Sequence, residues 1–192
     1  MPSVRARHLK TNLEALDRLP EREAVRRLLA EQLLRGIAQA HGFDWLPIAW
    51  DVAIVRAVHA ALGPEAQDAF ARSLLLESFD GPLLGSLVRT AVNLFGLDAD
   101  RWVRWIPKGW ALVFRDCGSW TIEAARVGEI RLRLDGLPRV CLEDLLWPRS
   151  VASSLSALQV RVGVPGETVL EAADVARRVA TFMVRWEPPQ AP

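Results

Sequence analysis

The sequence predicts an α+β fold in which an N-terminal helical layer packs on a small antiparallel sheet, formed by a three-stranded meander and C-terminal strands. Apolar residues recur at helical spacing through about the first hundred residues. The spacing then changes to alternation, as in Ile130, Leu132 and Leu134, which are separated by charged residues. Hydrophobic residues make up 51% of the 192-residue chain and charged residues 24%, which suits a packed core and excludes a disordered chain.

The length fits one domain. We expect this domain to cover residues 1–187, with a helical part at 9–106 and a sheet-containing part at 109–187. The Pro-rich tail at 188–192 is expected to be disordered.

Six helices are predicted in the helical part. Thr11 and Glu14 form a capping-box pattern for the first helix, which ends near Pro20. The second helix follows with apolar residues at helical spacing: Val25, Leu28, Leu29, Leu33 and Ile37. The apolar segment 43–50 is interrupted by Pro47 and is interpreted as a buried connector.

The four later helices have recognisable boundaries. Asp51 is predicted to cap the third helix, which ends at Gly63, and the fourth covers residues 65–79. The fifth ends at Phe95 and Gly96, and the sixth begins at Asp98 and ends near residue 105.

The second half of the chain is predicted to form mainly strands. Residues 110–116, 120–127 and 130–136 predict the three strands of the meander, with turns at Gly118 and Gly128. A helix is predicted over 142–155, where Pro148 either breaks it or shifts its start. Alternation predicts strands at 158–162 and 179–187, while residues 168–177 fit either a helix or a strand.

Composition excludes several classes of function. A net charge of +1 provides no strong field for nucleic acid, so no nucleic-acid partner is expected. No segment approaches the roughly 18 consecutive apolar residues of a membrane span. Cys117 and Cys141 lack the spacing of a zinc site and are interpreted as reduced thiols, which together with the absence of a secretory signal predicts a cytoplasmic location.

The tryptophans are the main candidates for a functional site. Eight are present, and several cluster between Trp102 and Trp120, where the helical part meets the first predicted strands. Such a cluster can form a pocket wall or a protein interface, or it can simply fill the core. The candidate pocket residues are His59, Arg89, Trp105, Trp110 and Trp120. No catalytic motif and no metal site is predicted.

Four segments carry a family resemblance: FDWLPIAWDVAIVRAVHAALG, FARSLLLESFDGPLLGSLVRT, WVRWIPKGWALVFRDCGSWTIE and FMVRW. With the order of predicted elements, they make the chain resemble a family of uncharacterised paralogous proteins from myxobacteria. That family is similar in fold to the heme nitric-oxide-binding domain, the 4-vinyl-reductase-type domain and the Bet3-like vesicle-tethering subunits.

The resemblance implies a pocket between the helices and one face of the sheet, which in different members takes heme, an acyl chain or another apolar molecule. Heme-binding members use a His on a helix and a Tyr-x-Ser-x-Arg signature. This chain contains no Tyr, so heme is disfavoured and the cofactor is unknown.

Two functions follow as expectations. The first is a non-enzymatic ligand-binding or sensory domain with an apolar pocket of about 300 Å³ or more for a small molecule. The alternative is a protein-interaction adaptor or homodimer that uses the same aromatic residues as an interface.

Overall fold

The computed structural model describes residues 1–81, 84–95 and 98–187, and its mixed helices and antiparallel sheets confirm the predicted α+β class. The described helices are α1 Ala6–Leu16, α2 Arg22–Arg26, α3 Glu31–Gln39, α4 Ile48–Leu62, α5 Pro64–Asp80, α6 Gly85–Phe95, α7 Ala99–Val103, α8 Ile106–Val113, α9 Leu146–Leu155 and α10 Ala157–Val162. The described strands are β1 Ser3–Arg5, β2 Trp45–Pro47, β3 Phe114–Arg115, β4 Ser119–Arg126, β5 Glu129–Asp135, β6 Gly166–Asp174 and β7 Val179–Trp186. The predicted tail at 188–192 and the predicted helix end at Gly96 lie outside the described residues.

The larger sheet contains four antiparallel strands in the order β4-β5-β7-β6. Its two central strands pair Ile130 with Val184 and Leu132 with Phe182. All four side chains are fully buried, because alternation places them on the same face of the sheet. The helices α9 and α10 pack beside β6, where the hydroxyl of Ser156 accepts a hydrogen bond from the backbone N–H of Thr168 at 2.9 Å.

A second, smaller sheet was not expected. It contains three short antiparallel strands in the order β2-β1-β3, so the N-terminus pairs with a segment more than a hundred residues away. The predicted connector around Pro47 therefore holds a short strand, and Ile48 begins α4 directly after it.

The prediction of a strand at 110–116 is wrong. This segment is the second half of α8, and only Phe114 and Arg115 are extended. The apolar residues Ile106, Trp110 and Val113 follow helical spacing that starts before the predicted strand, and Pro107 lies in the first turn, where proline is tolerated. The meander therefore keeps only β4 and β5, and β3 pairs with β1 instead.

The prediction of a strand at 158–162 is also wrong, because α10 occupies this segment. Leu158 and Val162 are four residues apart, and this spacing satisfies both a strand period of two and one helical turn. The open segment 168–177 mostly belongs to β6, and β7 confirms the predicted final strand. Pro148 shifts the start of α9 to Leu146.

The N-terminal helices differ from the prediction in their boundaries. Thr11 and Glu14 do not cap α1, which already begins at Ala6. The predicted second helix is divided into α2 and α3. Asp98 does cap α7, since its side chain accepts a hydrogen bond from the backbone N–H of Arg101 at 3.1 Å.

Candidate functional site

A cavity of about 190 Å³ lies among the helices. The helices α4 and α8 each turn one face toward it, at the spacing i, i+3, i+4, i+7 that places side chains on one side of a helix. On α8 this face is Ile106, Gly109, Trp110 and Val113, and on α4 it is Asp51, Ile54, Val55 and Val58. The helices α1, α5, α6, α7, α9 and α10 complete the enclosure.

The wall is mainly apolar and rich in aromatic rings. The aromatic lining residues are Phe70, Phe79, Trp102, Trp105, Trp110, Phe114 and Trp147. Phe114 lies 4.1 Å from Trp110 and 5.8 Å from Trp147 between ring centroids, so these three rings form one cluster at one end of the cavity. The contact of Phe114 with Trp147 is edge-to-face, an arrangement that stabilises aromatic pairs beyond the area that they bury.

The cavity lies inside the helical layer rather than against the larger sheet. None of the described lining residues belongs to β4, β5, β6 or β7. Trp110 lies between the two in the contact network, because it lines the cavity and its ring also contacts the ring of Trp120 on β4, with centroids 5.4 Å apart. The expected position between helices and sheet is therefore corrected, and the volume is smaller than the expected 300 Å³.

A buried polar cluster centred on Asp51 forms part of the wall. Asp51 is only 4% exposed, and its carboxylate accepts hydrogen bonds from Trp147 Nε1 at 2.8 Å and Asn12 Nδ2 at 3.0 Å. His8 Nε2 lies 3.3 Å from the same carboxylate, and the His8 ring packs against Phe114. These contacts satisfy a carboxylate that burial would otherwise destabilise strongly.

Four buried polar atoms near this cluster lack a hydrogen-bond partner. Asn12 Oδ1, Trp110 Nε1 and Arg7 Nε belong to residues that line the cavity. Trp120 Nε1 is also unpaired, but Trp120 does not line the cavity. Buried polar groups are normally paired, so these atoms of lining residues are candidates for hydrogen bonds to a molecule inside the cavity.

Only some of the five predicted pocket residues line the cavity. Trp105 and Trp110 line the cavity, and Trp120 lies behind Trp110. His59 is half-buried outside the wall, where its Nδ1 lies 2.7 Å from Oε1 of the lining residue Gln67. Arg89 is exposed on α6 and is not a lining residue.

Sequence reasoning missed Asn12, Asp51 and Trp147. Asp51 was interpreted as a helix cap, whereas α4 begins three residues earlier and turns Asp51 inward. The one available signal was the spacing of Asp51, Ile54 and Val58, which places the acid on the apolar face of the helix.

The two cysteines are free and buried, and neither lines the cavity. Burial raises the pKa of the Cys117 thiol to about 12 and also raises the pKa of the Cys141 thiol. Both thiols are therefore protonated near neutral pH and are poor nucleophiles.

The described part of the chain contains neither a metal-binding cluster nor a membrane-spanning helix. There, no group of three His, Cys, Asp or Glu side chains could hold a metal ion. None of the described helices is sufficiently long and apolar to cross a membrane.

Comparison with solved structures shows that the fold is that of H-NOX domains. An H-NOX protein from S. oneidensis in the Fe(II) ligation state superposes with a TM-score of 0.66 at 11% identity, over 95% of this chain and 96% of that chain. The unliganded Fe(II) H-NOX protein from K. algicida gives 0.64 at 8% identity, over 97% and 98%. An oxygen-binding H-NOX domain related to soluble guanylate cyclases gives 0.59 at 8% identity, over 96% and 95%.

These matches confirm the predicted similarity in fold to heme nitric-oxide-binding domains. No protein-family model matches the sequence. No curated protein matches it either.

The residues around the cavity do not fit heme, the group named for other H-NOX structures of the same fold. Proteins hold heme iron through axial ligands such as His, Cys, Met or Tyr. Among the described lining residues only His8 is of such a type, and its Nε2 already faces the Asp51 carboxylate. The chain has no Tyr, and 190 Å³ is below even the roughly 300–1,000 Å³ of pockets for drug-sized ligands.

Proposed function

We propose that this chain is a non-enzymatic binding domain, of sensory or regulatory type, whose cavity takes a small apolar molecule. The observation that carries the proposal is a partly open cavity of about 190 Å³ with an aromatic and aliphatic wall. An apolar cavity of about 150 Å³ in another protein stays dry and binds benzene. A ligand the size of one substituted ring therefore suits this cavity.

The fold supports the same class of function. Its H-NOX neighbours include a domain that binds oxygen, so this arrangement of helices and sheet accommodates an internal ligand in other proteins. Membership in the myxobacterial paralogous family stays a prediction. A cytoplasmic location also stays a prediction, and the two free thiols are consistent with a reducing compartment.

Toluene provides a direct test of the cavity. Gly109 lies on the cavity-facing side of α8, and a Cβ added there would meet Leu87 at 3.8 Å and Leu84 at 3.9 Å, both of which line the cavity. The variant Gly109→Leu therefore directs a larger side chain into the cavity without a backbone clash. Gly109→Ala is the matched control, because one methyl group occupies little of the volume.

Isothermal titration calorimetry should detect toluene binding to the wild type and to Gly109→Ala. Binding to Gly109→Leu should be at least about ten times weaker, because the side chain displaces the ligand. Equal affinity in all three proteins, or no binding to the wild type, would contradict the proposal. Native mass spectrometry of freshly purified protein would identify a natural ligand. A purified protein with the colour of heme would contradict the conclusion that the lining residues do not fit heme.

The adaptor alternative places the aromatic residues at a protein interface. In the structure Trp102 is 4% exposed, and Trp105, Trp110 and Trp120 are half-buried. The exposed apolar side chains of Phe43 and Leu112 lie elsewhere, on either side of Arg5, which donates to both of their backbone carbonyls. The adaptor or homodimer interface through the tryptophan cluster stays a prediction, and light scattering would detect a homodimer as a doubled mass.

A further inference from the structure

The unpaired polar atoms beside the cavity define the chemistry of its ligand more closely than its volume does. This inference rests on the proposed binding function. Asn12 is only 3% exposed, and its Nδ2 donates to Asp51 at 3.0 Å, which fixes the orientation of the amide. Oδ1 is therefore a buried acceptor without a donor.

Trp110 supplies the complementary atom. Its Nε1 is a buried donor without an acceptor, and Trp110 is one of the residues that line the cavity. The two residues belong to one cluster, since Asn12 and Trp147 both donate to Asp51, and the rings of Trp147 and Trp110 are 5.9 Å apart. Two neighbouring lining residues in an aromatic part of the wall therefore carry one unpaired acceptor and one unpaired donor.

We propose that the cavity binds a neutral single-ring phenol. A hydroxyl group is both donor and acceptor, so one such group can donate to Asn12 Oδ1 and accept from Trp110 Nε1. The ring of the ligand packs against the aromatic side chains, and edge and offset ring contacts favour an aromatic over an aliphatic alcohol.

A neutral ligand suits the charges at this end. The acceptors Asn12 Oδ1 and the Asp51 carboxylate disfavour a ligand carboxylate, because two groups that only accept cannot bond each other. Arg7 Nε is the third unpaired atom, but the Arg7 side chain is 38% exposed and its Nη1 lies 3.6 Å from Glu14. Glu14 and solvent therefore already compensate its charge.

The experiment compares phenol with toluene, which replaces the hydroxyl by a methyl group of similar size. Hydrogen bonds to buried groups that are otherwise unpaired should make phenol bind about 5- to 150-fold more tightly than toluene. Anisole keeps the oxygen acceptor but has no donor for Asn12 Oδ1, so it should bind more weakly than phenol. Benzoate should also bind more weakly than phenol.

Two matched variants locate the effect. Trp110→Phe removes the indole N–H but keeps an aromatic ring, so the ratio of phenol affinity to toluene affinity should fall at least about threefold, whatever the altered wall does to both affinities alike. Trp120→Phe removes an equally buried, unpaired indole N–H outside the cavity, and the preference should be unchanged.

The outcomes separate the two proposals. If toluene binds and phenol binds no more tightly, or if benzoate binds best, the phenol inference is overturned and the binding function stands. A preference that survives Trp110→Phe, or that Trp120→Phe reduces equally, also overturns the inference. If none of these ligands binds, the proposed function fails together with the inference.

Discussion

Replacing Asp51 by Asn tests whether the buried carboxylate holds the cavity wall together. The substitution keeps the size and shape of the side chain but turns one accepting oxygen into an amino group. In the wild type, Oδ2 accepts from Trp147 Nε1 and Oδ1 accepts from Asn12 Nδ2. In either orientation of the new amide, one of these two donors faces another donor, unless the Asn12 amide also rotates, in which case Asn12 Nδ2 loses this acceptor.

The expected loss of stability follows from these contacts. One buried donor without a partner costs about 1–3 kcal/mol, and the remaining hydrogen bond loses its charged acceptor, which adds about 1 kcal/mol. We expect the free energy of unfolding to fall by about 2–4 kcal/mol. For a chain of this length, this corresponds to a decrease in Tm of about 4–16 °C.

Urea unfolding followed by circular dichroism measures the difference. Asp80→Asn is the control, because Asp80 is exposed at the end of α5, and a change there should stay within about 0.5 kcal/mol. The opposing effect is the desolvation of the wild-type carboxylate, which the neutral amide removes. If Asp51→Asn is as stable as the wild type, this desolvation cost balances the hydrogen bonds and the stabilising role assigned to Asp51 is wrong.

Three further predictions concern packing and the thiols. Gly36→Ala should lower the free energy of unfolding by about 1–3 kcal/mol, because its Cβ would lie 2.8 Å from Trp50 Cζ3. The control Gly109→Ala should not lower the free energy of unfolding, and an equal loss for both variants in urea unfolding would contradict the proposed clash with Trp50. In the native protein at pH 8, Ellman's reagent should label Cys117 and Cys141 far more slowly than in guanidinium chloride, since both thiols are buried; rapid native labelling would show that at least one is accessible. The ordinary thiol pKa is 9.0, whereas the pKa of Cys117 in the folded protein is about 12. The unfolded chain therefore loses this proton first as the pH rises, and the free energy of unfolding should fall between about pH 9 and 12. In a series of unfolding curves at different pH, Cys117→Ala should show a shallower decline.

Hydrophobic spacing predicted helices and strands correctly mostly where the residues fitted only one of the two periods, helical spacing or strand alternation. Ile130, Leu132 and Leu134 alternate over three positions, and only a strand buries all three on one face. Leu158 and Val162 are four residues apart, so the same pair fitted a strand and a helix, and the helix α10 is observed. Local spacing cannot distinguish these cases, because the pairing partner of a strand lies elsewhere in the chain.

The candidate site was predictable only in part for a similar reason. Trp105 and Trp110 were identified from their number and position, and both lie in the wall. The polar cluster brings together α1, α4 and α9, which are distant in sequence, so no short motif contains it. Asp51 was interpreted as a helix cap, and its position in the core was therefore not predicted.

The energetics of the cavity argue that it has a use. A sealed residual cavity costs about 24 cal/mol per Å³, so about 4–5 kcal/mol is the upper bound for this partly open cavity of about 190 Å³, against the 5–15 kcal/mol that stabilises a typical domain. Leaving Asn12 Oδ1 and Trp110 Nε1 unpaired adds about 1–3 kcal/mol for each atom. Larger side chains in the wall could remove the cost of the cavity volume, and apolar side chains could remove the cost of the unpaired polar atoms. A ligand with one ring and one hydroxyl group offsets both at once, because it fills the volume and pairs both atoms.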